Sequence, residues 1–229
     1  MKYKAVIFDL FGTLVPCLSL QEHRKVMEQM AMAISVPSED FTRLWMDTSY
    51  EREIGIFRNK EANFEHICYR LGVPVDYTQI KLAAQISSDV TKRLMKPRTD
   101  ALEVISQIRS EGYKTGIISN CASDVPSIWE GTPLVPLIDV AIFSCVVGLA
   151  KPAPDIYHLT TEKLAVEPRS CLYIGDGASH ELEGASQVGM HAILIQVPDA
   201  EVNNPYRNTA EEWDGPVITS LTGVLALVP

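Results

Sequence analysis

The chain has few basic residues and no long apolar run. Its 229 residues carry 20 Lys and Arg against 29 Asp and Glu, which gives a net charge of −9 at pH 7. This acidic balance repels nucleic-acid backbones and anionic membrane surfaces, so we expect neither as a partner. No apolar run approaches the roughly 20 residues of a membrane-spanning helix. Hydrophobic residues make up 46% of the chain, which is typical of a globular protein.

The sequence also lacks a cysteine motif. The five cysteines are odd in number and form neither a CxxC pair nor a zinc-like spacing, so we expect free thiols in a reducing compartment. The apolar stretch near the N-terminus is interrupted by Asp9 after four residues, too early for a signal peptide. These features predict a cytoplasmic protein.

A helical stretch interrupts a chain that otherwise alternates strands and helices. A buried strand and turn cover Lys4 to Val15, and helical periodicity then continues to residue 95. Lys96–Pro97–Arg98 marks the end of this stretch, because proline disfavours helix in the preceding residue. The predicted helices in it lie near 19–34, 39–54, around 64–71, and at 77–95. Residues 16–95 are therefore predicted to form a separate helical bundle.

After residue 96 the pattern changes to strands separated by helices. The predicted strands are Lys114–Ser119, Val140–Cys145, Cys171–Gly175 and His191–Ile195. Helices are predicted over 101–111, from Pro154 onward, and over 179–188. Asp100 and Glu103 are the predicted capping pair of the first of these, and a polar loop is predicted over 199–215. Such alternation is typical of a parallel sheet covered on both faces. We therefore expect an α/β, Rossmann-like core of residues 1–15 and 96–229 with the helical bundle inserted.

Polar residues follow four predicted strands or begin the segments after them. Asp9 ends the first strand, Ser119 and Asn120 end the second, and Lys151 and Asp176 follow the next two. Ligands of open parallel sheets bind outside the carboxyl ends of the strands, so these residues are predicted to converge on one crevice.

These residues lie in four short motifs that resemble those of the haloacid dehalogenase superfamily. The motifs are FDLFGTL with Asp9, ISN with Ser119, Lys151 before Pro152, and IGDGASHE with Asp176 and Glu181. Their order, with a helical segment after the first strand, covers nearly the whole chain. The resemblance implies that residues 16–95 are a cap domain and that Asp9 is the nucleophile.

The same resemblance implies a phosphate site and a metal site. Ser119 and Asn120 would hold phosphoryl oxygens, and Lys151 would neutralise and orient the substrate. Three carboxylates facing one lysine are unfavourable without a cation, and oxygen ligands suit Mg²⁺. The implied ligands of Mg²⁺ are Asp9, the backbone carbonyl of Phe11, Asp176, and Glu181 either directly or through a water.

Phe11 departs from the pattern of the family's phosphatases. They usually carry an aspartate there, which protonates the leaving oxygen and later activates water, and loss of such a group costs about 10²–10⁴-fold. Dehalogenases of the superfamily carry a residue that is not an acid, because halide leaves without a proton. Asp176 and Glu181, however, indicate a metal and hence a phosphate or phosphonate substrate.

Three functions therefore stay open. The first is a Mg²⁺-dependent phosphatase of small phosphorylated metabolites acting through an aspartyl-phosphate on Asp9. The others are a metal-independent 2-haloacid dehalogenase and a non-catalytic phosphate-binding protein. Arg43 and Arg52 are candidates for receiving an anionic substrate, and His180 is a candidate base that we interpret as solvated. We expect a monomer or a homodimer.

Overall fold

The computed structural model describes residues 3–197 and 213–228, and in them six parallel strands form one sheet. The strand order is β3-β2-β1-β4-β5-β6, with every neighbouring pair parallel. The strands are β1 (Ala5–Phe8), β2 (Lys114–Ser119), β3 (Val140–Phe143), β4 (Cys171–Gly175), β5 (His191–Ile195) and β6 (Val217–Ile218). This confirms the predicted α/β, Rossmann-like fold. Most of the loop predicted at 199–215 lies outside the described residues.

Ten α-helices surround the sheet or precede its second strand in the described ranges. The first five are α1 (Leu20–Ala33), α2 (Ser38–Asp47), α3 (Ser49–Glu53), α4 (Lys60–Leu71) and α5 (Tyr77–Leu94). The others are α6 (Ala101–Ser110), α7 (Val125–Trp129), α8 (Ser144–Val147), α9 (Pro154–Leu164) and α10 (Glu181–Gln187). None of these helices is both long and apolar enough to cross a membrane.

The central strands are buried on both faces. All four residues of β1 and all five of β4 are buried, as their unbroken apolar sequences predict. Val6 and Phe8 of β1 point into one hydrophobic cluster, whereas Ala5 and Ile7 point into another on the opposite face. The sheet therefore has a packed layer on each side, and its carboxyl end is left for the site.

The helices that follow β1 have a hydrophobic core of their own. Met30, Phe41, Phe64 and Ile67 are nearly or fully buried in it, and the Phe41 and Phe64 rings stack with centroids 6.0 Å apart. The apolar stripes of α1, α2, α4 and α5 face one another here. Residues 16–95 remain our predicted cap domain.

One predicted helix and one predicted strand have different bounds in the structure. The helix predicted at 39–54 is divided between α2 and α3 at Thr48, whose hydroxyl donates to the Leu44 carbonyl at 2.9 Å, a bond that often bends helices. The strand predicted at Val140–Cys145 ends at Phe143, because α8 begins at Ser144.

Three further differences concern helix starts and a late strand. The helix predicted from Ser179 begins at Glu181, since Ser179 and His180 have φ of 58° and 51°. The predicted Asp100 cap was wrong, because its side chain makes no capping hydrogen bond to α6. The two-residue strand β6 had no prediction; it is too short to show a period.

A buried ion pair joins the helical half to the α/β half. Lys60 Nζ of α4 lies 2.8 Å from Asp124 Oδ2, just before α7, and it also donates to Ser87 Oγ at 2.7 Å. Ser88 of α5 donates to the same Asp124 oxygen at 3.1 Å. Burial lowers the pKa of Lys60, opposed by the Asp124 charge. The two halves thus meet through a desolvated polar contact.

Candidate active site

The nucleophile candidate Asp9 lies at the carboxyl end of β1, at the centre of the sheet. Its N–H donates to the Ile174 carbonyl at 2.8 Å, which continues the pairing of β1 with β4. The turn that follows needs Gly12, whose φ is +94°. Arg98, which lies between α5 and α6, stabilises this turn. Its Nε donates to the Thr13 carbonyl at 3.0 Å and its Nη2 to the Gly12 carbonyl at 3.2 Å.

Lys151 is buried between two carboxylates. Its Nζ lies 2.6 Å from Asp9 Oδ1 and 2.5 Å from Glu181 Oε2, and 3.3 Å from the Tyr173 hydroxyl. Burial disfavours the ammonium, but the charges of Asp9 and Glu181 outweigh it and hold the pKa of Lys151 above its ordinary value. The lysine is therefore charged and fixed beside Asp9.

Glu181 is fully buried, and both of its oxygens have partners. Oε1 accepts from the Gly177 N–H at 3.1 Å, and Oε2 accepts from Lys151 and from the Tyr173 hydroxyl, the latter at 2.7 Å. Burial raises the pKa of Glu181 to about 8, aided by the Asp9 and Asp176 charges and opposed by Lys151. A Cβ on Gly175 would overlap this carboxylate, so glycine there leaves room for it.

Asp9, Asp176 and Glu181 form an acidic cluster. One oxygen of each lies within 4.8 Å of the others. The Ala178 N–H orients Asp176 Oδ1 at 3.1 Å. Asp9 Oδ2 is buried and accepts no hydrogen bond within the described ranges, which is costly for a carboxylate oxygen. A hard divalent cation among these oxygens would remove that cost, so the residues fit the predicted Mg²⁺.

Ser119 is the last residue of β2 and Asn120 follows it, and the two side chains have different surroundings. Ser119 is fully buried, and its hydroxyl makes no hydrogen bond within the part of the chain that is described. Asn120 lines the cavity, yet its amide is engaged: Oδ1 accepts from the Lys151 N–H at 2.8 Å, and Nδ2 donates to the Lys151 carbonyl at 3.0 Å. Asn120 therefore fixes the backbone of Lys151.

A cavity of about 310 Å³ lies over Asp9 and is lined by both halves of the molecule. The α/β half contributes Asp9, Phe11, Asn120 and Lys151 to its wall. The helical half contributes mainly apolar side chains, with four polar or charged ones among them: His23, Ser49, Arg52 and Glu53. This volume is at the small end of ligand pockets and suits a metabolite of few atoms.

Two of the other candidates lie outside this cavity. Arg43 is exposed and pairs with Asp40 at 3.1 Å on the surface. His180 is also exposed, which agrees with its interpretation as a solvated residue, and does not line the cavity. Arg52 does line it, but its Nη1 donates to the Trp45 carbonyl at 2.6 Å and to Thr48 Oγ1 at 2.8 Å.

The sequence did not single out three residues that the structure brings to the site. Tyr173 lies inside an unbroken apolar strand, and a tyrosine there has no pattern that separates it from core residues. Arg98 gave only a domain boundary, because its contact with the turn after Asp9 spans 85 residues. Glu53 lies at the end of a predicted helix, where an acidic residue is ordinary. Only the tertiary structure gives these side chains their neighbours.

Comparison with protein families gives a match over most of the chain. Residues 3–189 match the model described as haloacid dehalogenase-like hydrolase. "Acyl-CoA dehydrogenase family member 10" of Mus musculus is 26% identical over 207 residues, which are 87% of this chain but only 18% of that protein. "Glyceraldehyde 3-phosphate phosphatase" of Methanopyrus kandleri is 24% identical over 224 residues, covering 88% of this chain and 94% of that protein.

Solved structures of two kinds of enzyme share the fold. A phosphatase from Thermococcus onnurineus has a TM-score of 0.66 and 21% identity, covering 98% of this chain and 97% of its own. An L-2-haloacid dehalogenase from Xanthobacter autotrophicus has a TM-score of 0.65 and 22% identity, covering 99% and 98%. The two scores are nearly equal, so the fold alone does not distinguish a phosphatase from a dehalogenase.

Proposed function

Because the chain belongs to the haloacid dehalogenase-like hydrolase family, we propose that it is a Mg²⁺-dependent phosphatase of a small phosphorylated metabolite. Asp9 would be the nucleophile and would form an aspartyl-phosphate. The observation that carries this proposal is the acidic cluster of Asp9, Asp176 and Glu181, with oxygens within 4.8 Å of one another around one lysine. Attack of a carboxylate on a haloacid needs no metal, whereas transfer of a charged phosphoryl group gains from one.

Each residue has a distinct task in the proposed reaction. The Asp9 carboxylate attacks phosphorus, a bond forms between its oxygen and phosphorus, and the ester P–O bond breaks. Lys151 neutralises negative charge beside Asp9, and Asn120 holds the Lys151 backbone in place. Water then attacks the aspartyl-phosphate, releasing phosphate and free Asp9.

A bound Mg²⁺ would neutralise charge on the phosphoryl oxygens and on the acidic cluster. Asp9, Asp176 and the Phe11 carbonyl are its proposed ligands. Glu181 already accepts hydrogen bonds on both oxygens, which favours contact through a water over direct ligation. Glu181 would then act by accepting hydrogen bonds from Lys151 and Tyr173, which hold Lys151 beside Asp9.

Residues 16–95 would act as a cap domain over this site. They have their own hydrophobic core, and several of their side chains form one wall of the cavity. The apolar wall would exclude water during phosphoryl transfer, which strengthens the electrostatic contacts below it. Substrate selection would therefore lie mainly in these side chains. The name of the Methanopyrus kandleri relative makes glyceraldehyde 3-phosphate the first substrate to test.

A metal-independent 2-haloacid dehalogenase is the second candidate, because Phe11 lines the cavity where a phosphatase would carry an acid. A non-catalytic phosphate-binding protein is the third. For dehalogenation, the Asp9 carboxylate would displace halide from carbon, and Lys151 would be retained as a charge-bearing neighbour. The acidic cluster would have no task in that reaction, which is why we place it second.

One experiment separates the three functions. The purified chain is assayed with glyceraldehyde 3-phosphate, a panel of other phosphate esters including p-nitrophenyl phosphate, and 2-chloropropionate, each with Mg²⁺ and with EDTA. We expect phosphate release that needs Mg²⁺ and is abolished in Asp9→Asn, while Asp89→Asn on the exposed face of α5 retains activity. Halide release in EDTA would establish the dehalogenase instead. Mg²⁺-dependent binding without turnover of any ester would establish the binding protein.

A further inference from the structure

The α3 helix contributes a carboxyl group to the cavity that contains Asp9, where Phe11 stands in place of the usual aspartate. Phe11 provides no acid, yet release of an alcohol from a phosphate ester needs a proton on the leaving oxygen. Glu53, the last residue of α3, lines the same cavity as Asp9, Phe11 and Lys151. The helical half thus contributes an ionisable group to the cavity that holds the nucleophile candidate.

A hydrogen bond ties Glu53 to the catalytic end of the sheet. Asn120 Nδ2 donates to Glu53 Oε2 at 3.2 Å, and the same amide donates to the Lys151 carbonyl at 3.0 Å. Lys151 in turn contacts Asp9 at 2.6 Å. Two residues, Asn120 and Lys151, therefore connect Glu53 to the nucleophile through direct contacts.

Close backbone packing holds the end of α3 against the α/β half. Gly55 has a φ of +75°, and a Cβ at this position would overlap the carbonyl oxygen of Cys145 on α8. The Ile54 carbonyl lies 4.0 Å from where a Cβ on Gly148 would stand. The residues immediately after Glu53 thus pack against α8, and these backbone contacts hold the end of the helix that carries the carboxyl group.

Burial, and not an ion pair, has the largest influence on the pKa of the Glu53 carboxyl group. The neighbouring Arg52 turns its guanidinium to Trp45 and Thr48, with the Trp45 ring centroid 4.0 Å away, and Glu53 forms no ion pair in the described ranges. Its Oε1 accepts no hydrogen bond there either. Burial raises the pKa of Glu53, opposed by the charges of Arg52 and Lys151 and by the Asn120 hydrogen bond. Burial therefore favours the protonated carboxyl group, and Oε1 is the oxygen that does not accept the Asn120 hydrogen bond.

We propose that Glu53 replaces the missing aspartate as the general acid and base of the proposed phosphatase reaction. As the ester P–O bond breaks, the Glu53 carboxyl gives its proton to the leaving oxygen and becomes a carboxylate. That carboxylate then takes a proton from the water whose oxygen attacks phosphorus, and the Asp9–phosphate bond breaks. Each turnover returns Glu53 to its protonated form and consumes one water. This inference rests on the proposed function.

The test compares esters whose leaving groups differ in their need for a proton. p-Nitrophenolate leaves without protonation, whereas the alkoxide of an alkyl phosphate such as glyceraldehyde 3-phosphate does not. The value of kcat/KM includes phosphoryl transfer to Asp9 but leaves out the later hydrolysis of the aspartyl-phosphate. In Glu53→Gln, kcat/KM for the alkyl phosphate turned over fastest by the wild type should fall about 10²–10⁴-fold. The kcat/KM for p-nitrophenyl phosphate should stay nearly unchanged.

Three further variants make the assignment specific. Glu51→Gln removes a carboxylate from the same helix and should leave both substrates unaffected. Phe11→Asp in the Glu53→Gln background should restore turnover of the alkyl phosphate, because it returns an acid to the position that lost one. His23→Gln tests the histidine that lines the same cavity. A rapid-quench burst of p-nitrophenol in Glu53→Gln should also appear, since hydrolysis of the aspartyl-phosphate loses its base.

The outcomes separate this inference from the function on which it rests. Equal losses for both substrates in Glu53→Gln, no loss for either, or a selective loss in His23→Gln instead would each overturn the role of Glu53 and leave the phosphatase intact. A wild-type chain that hydrolyses no phosphate ester with Mg²⁺ would overturn the proposed function itself, and the role of Glu53 with it.

Discussion

Replacing Lys151 with methionine should destabilise the protein severely, because it removes the cation from a buried cluster of acids. The lysine Nζ contacts Asp9 at 2.6 Å and Glu181 at 2.5 Å, and all three side chains are less than a tenth exposed. Methionine nearly matches the lysine stem in volume, so the change removes charge and three hydrogen bonds without creating a large cavity. The substitution therefore separates the contribution of the charge and its hydrogen bonds from that of packing.

The expected loss is about 3–5 kcal/mol in the free energy of unfolding, the range found when one partner of a buried ion pair is removed. For a chain of this length each kcal/mol lowers Tm by about 2–4 °C, so Tm should fall by roughly 6–20 °C. Urea and thermal unfolding followed by circular dichroism in EDTA measure both quantities without reference to activity. Added Mg²⁺ should raise the Tm of Lys151→Met more than that of the wild type, because the cation would replace part of the missing charge.

Lys163→Met is the matched control, since Lys163 is exposed on α9 and undergoes the same chemical change. Its stability should stay within about 0.5 kcal/mol of the wild type, as expected for a surface substitution. If Lys151→Met unfolds within about 1 kcal/mol of the wild type in EDTA, the two carboxylates are not held together by this lysine, and our account of the site is wrong.

Two further predictions concern the support of the site and the contact between the halves. Gly175→Ala should lower the free energy of unfolding by about 1–3 kcal/mol and reduce the proposed phosphatase activity, because the new methyl group collides with the buried Glu181 carboxylate. In the control Gly131→Ala, the nearest atom to the new methyl group is 3.6 Å away, so neither change is expected. Asp124→Asn should cost about 3 kcal/mol by leaving Lys60 buried without its carboxylate, and Lys60→Met in that background should recover most of the loss. Urea denaturation of the single and double variants measures the second pair, and a double variant as unstable as Asp124→Asn would contradict it.

The parts of the site that the sequence predicted are those fixed by local pattern. Asp9 and Asp176 each follow an unbroken apolar strand, and parallel strands necessarily bring such residues to one edge of the sheet. Lys151 and Glu181 were predicted from the order of the four motifs. Their direct contact was not, because it depends on how α10 packs beneath β4.

The parts that the sequence did not predict depend on distant contacts. Asn120 belongs to a predicted motif, but its engagement with both backbone groups of Lys151 requires the geometry of two loops 31 residues apart. Glu53 reaches the site from a helix 67 residues before Asn120. Periodicity assigns a residue to a face of its own helix, and it carries no information about the element on the opposite side of a cavity.

In the reaction that we propose, the task of the acid moves from position 11 to another element while the fold is kept. The backbone around Phe11 is held by the left-handed Gly12 and by hydrogen bonds from Arg98, and neither contact needs an acid at position 11. An aromatic ring there adds apolar surface to the cavity, and in the proposed reaction the proton donor comes from the wall that the helical half forms. In the described residues the carboxyl group on that wall is Glu53. Exchange of acid between these two positions would therefore change the rate of the reaction without changing the sheet, the nucleophile or the metal ligands.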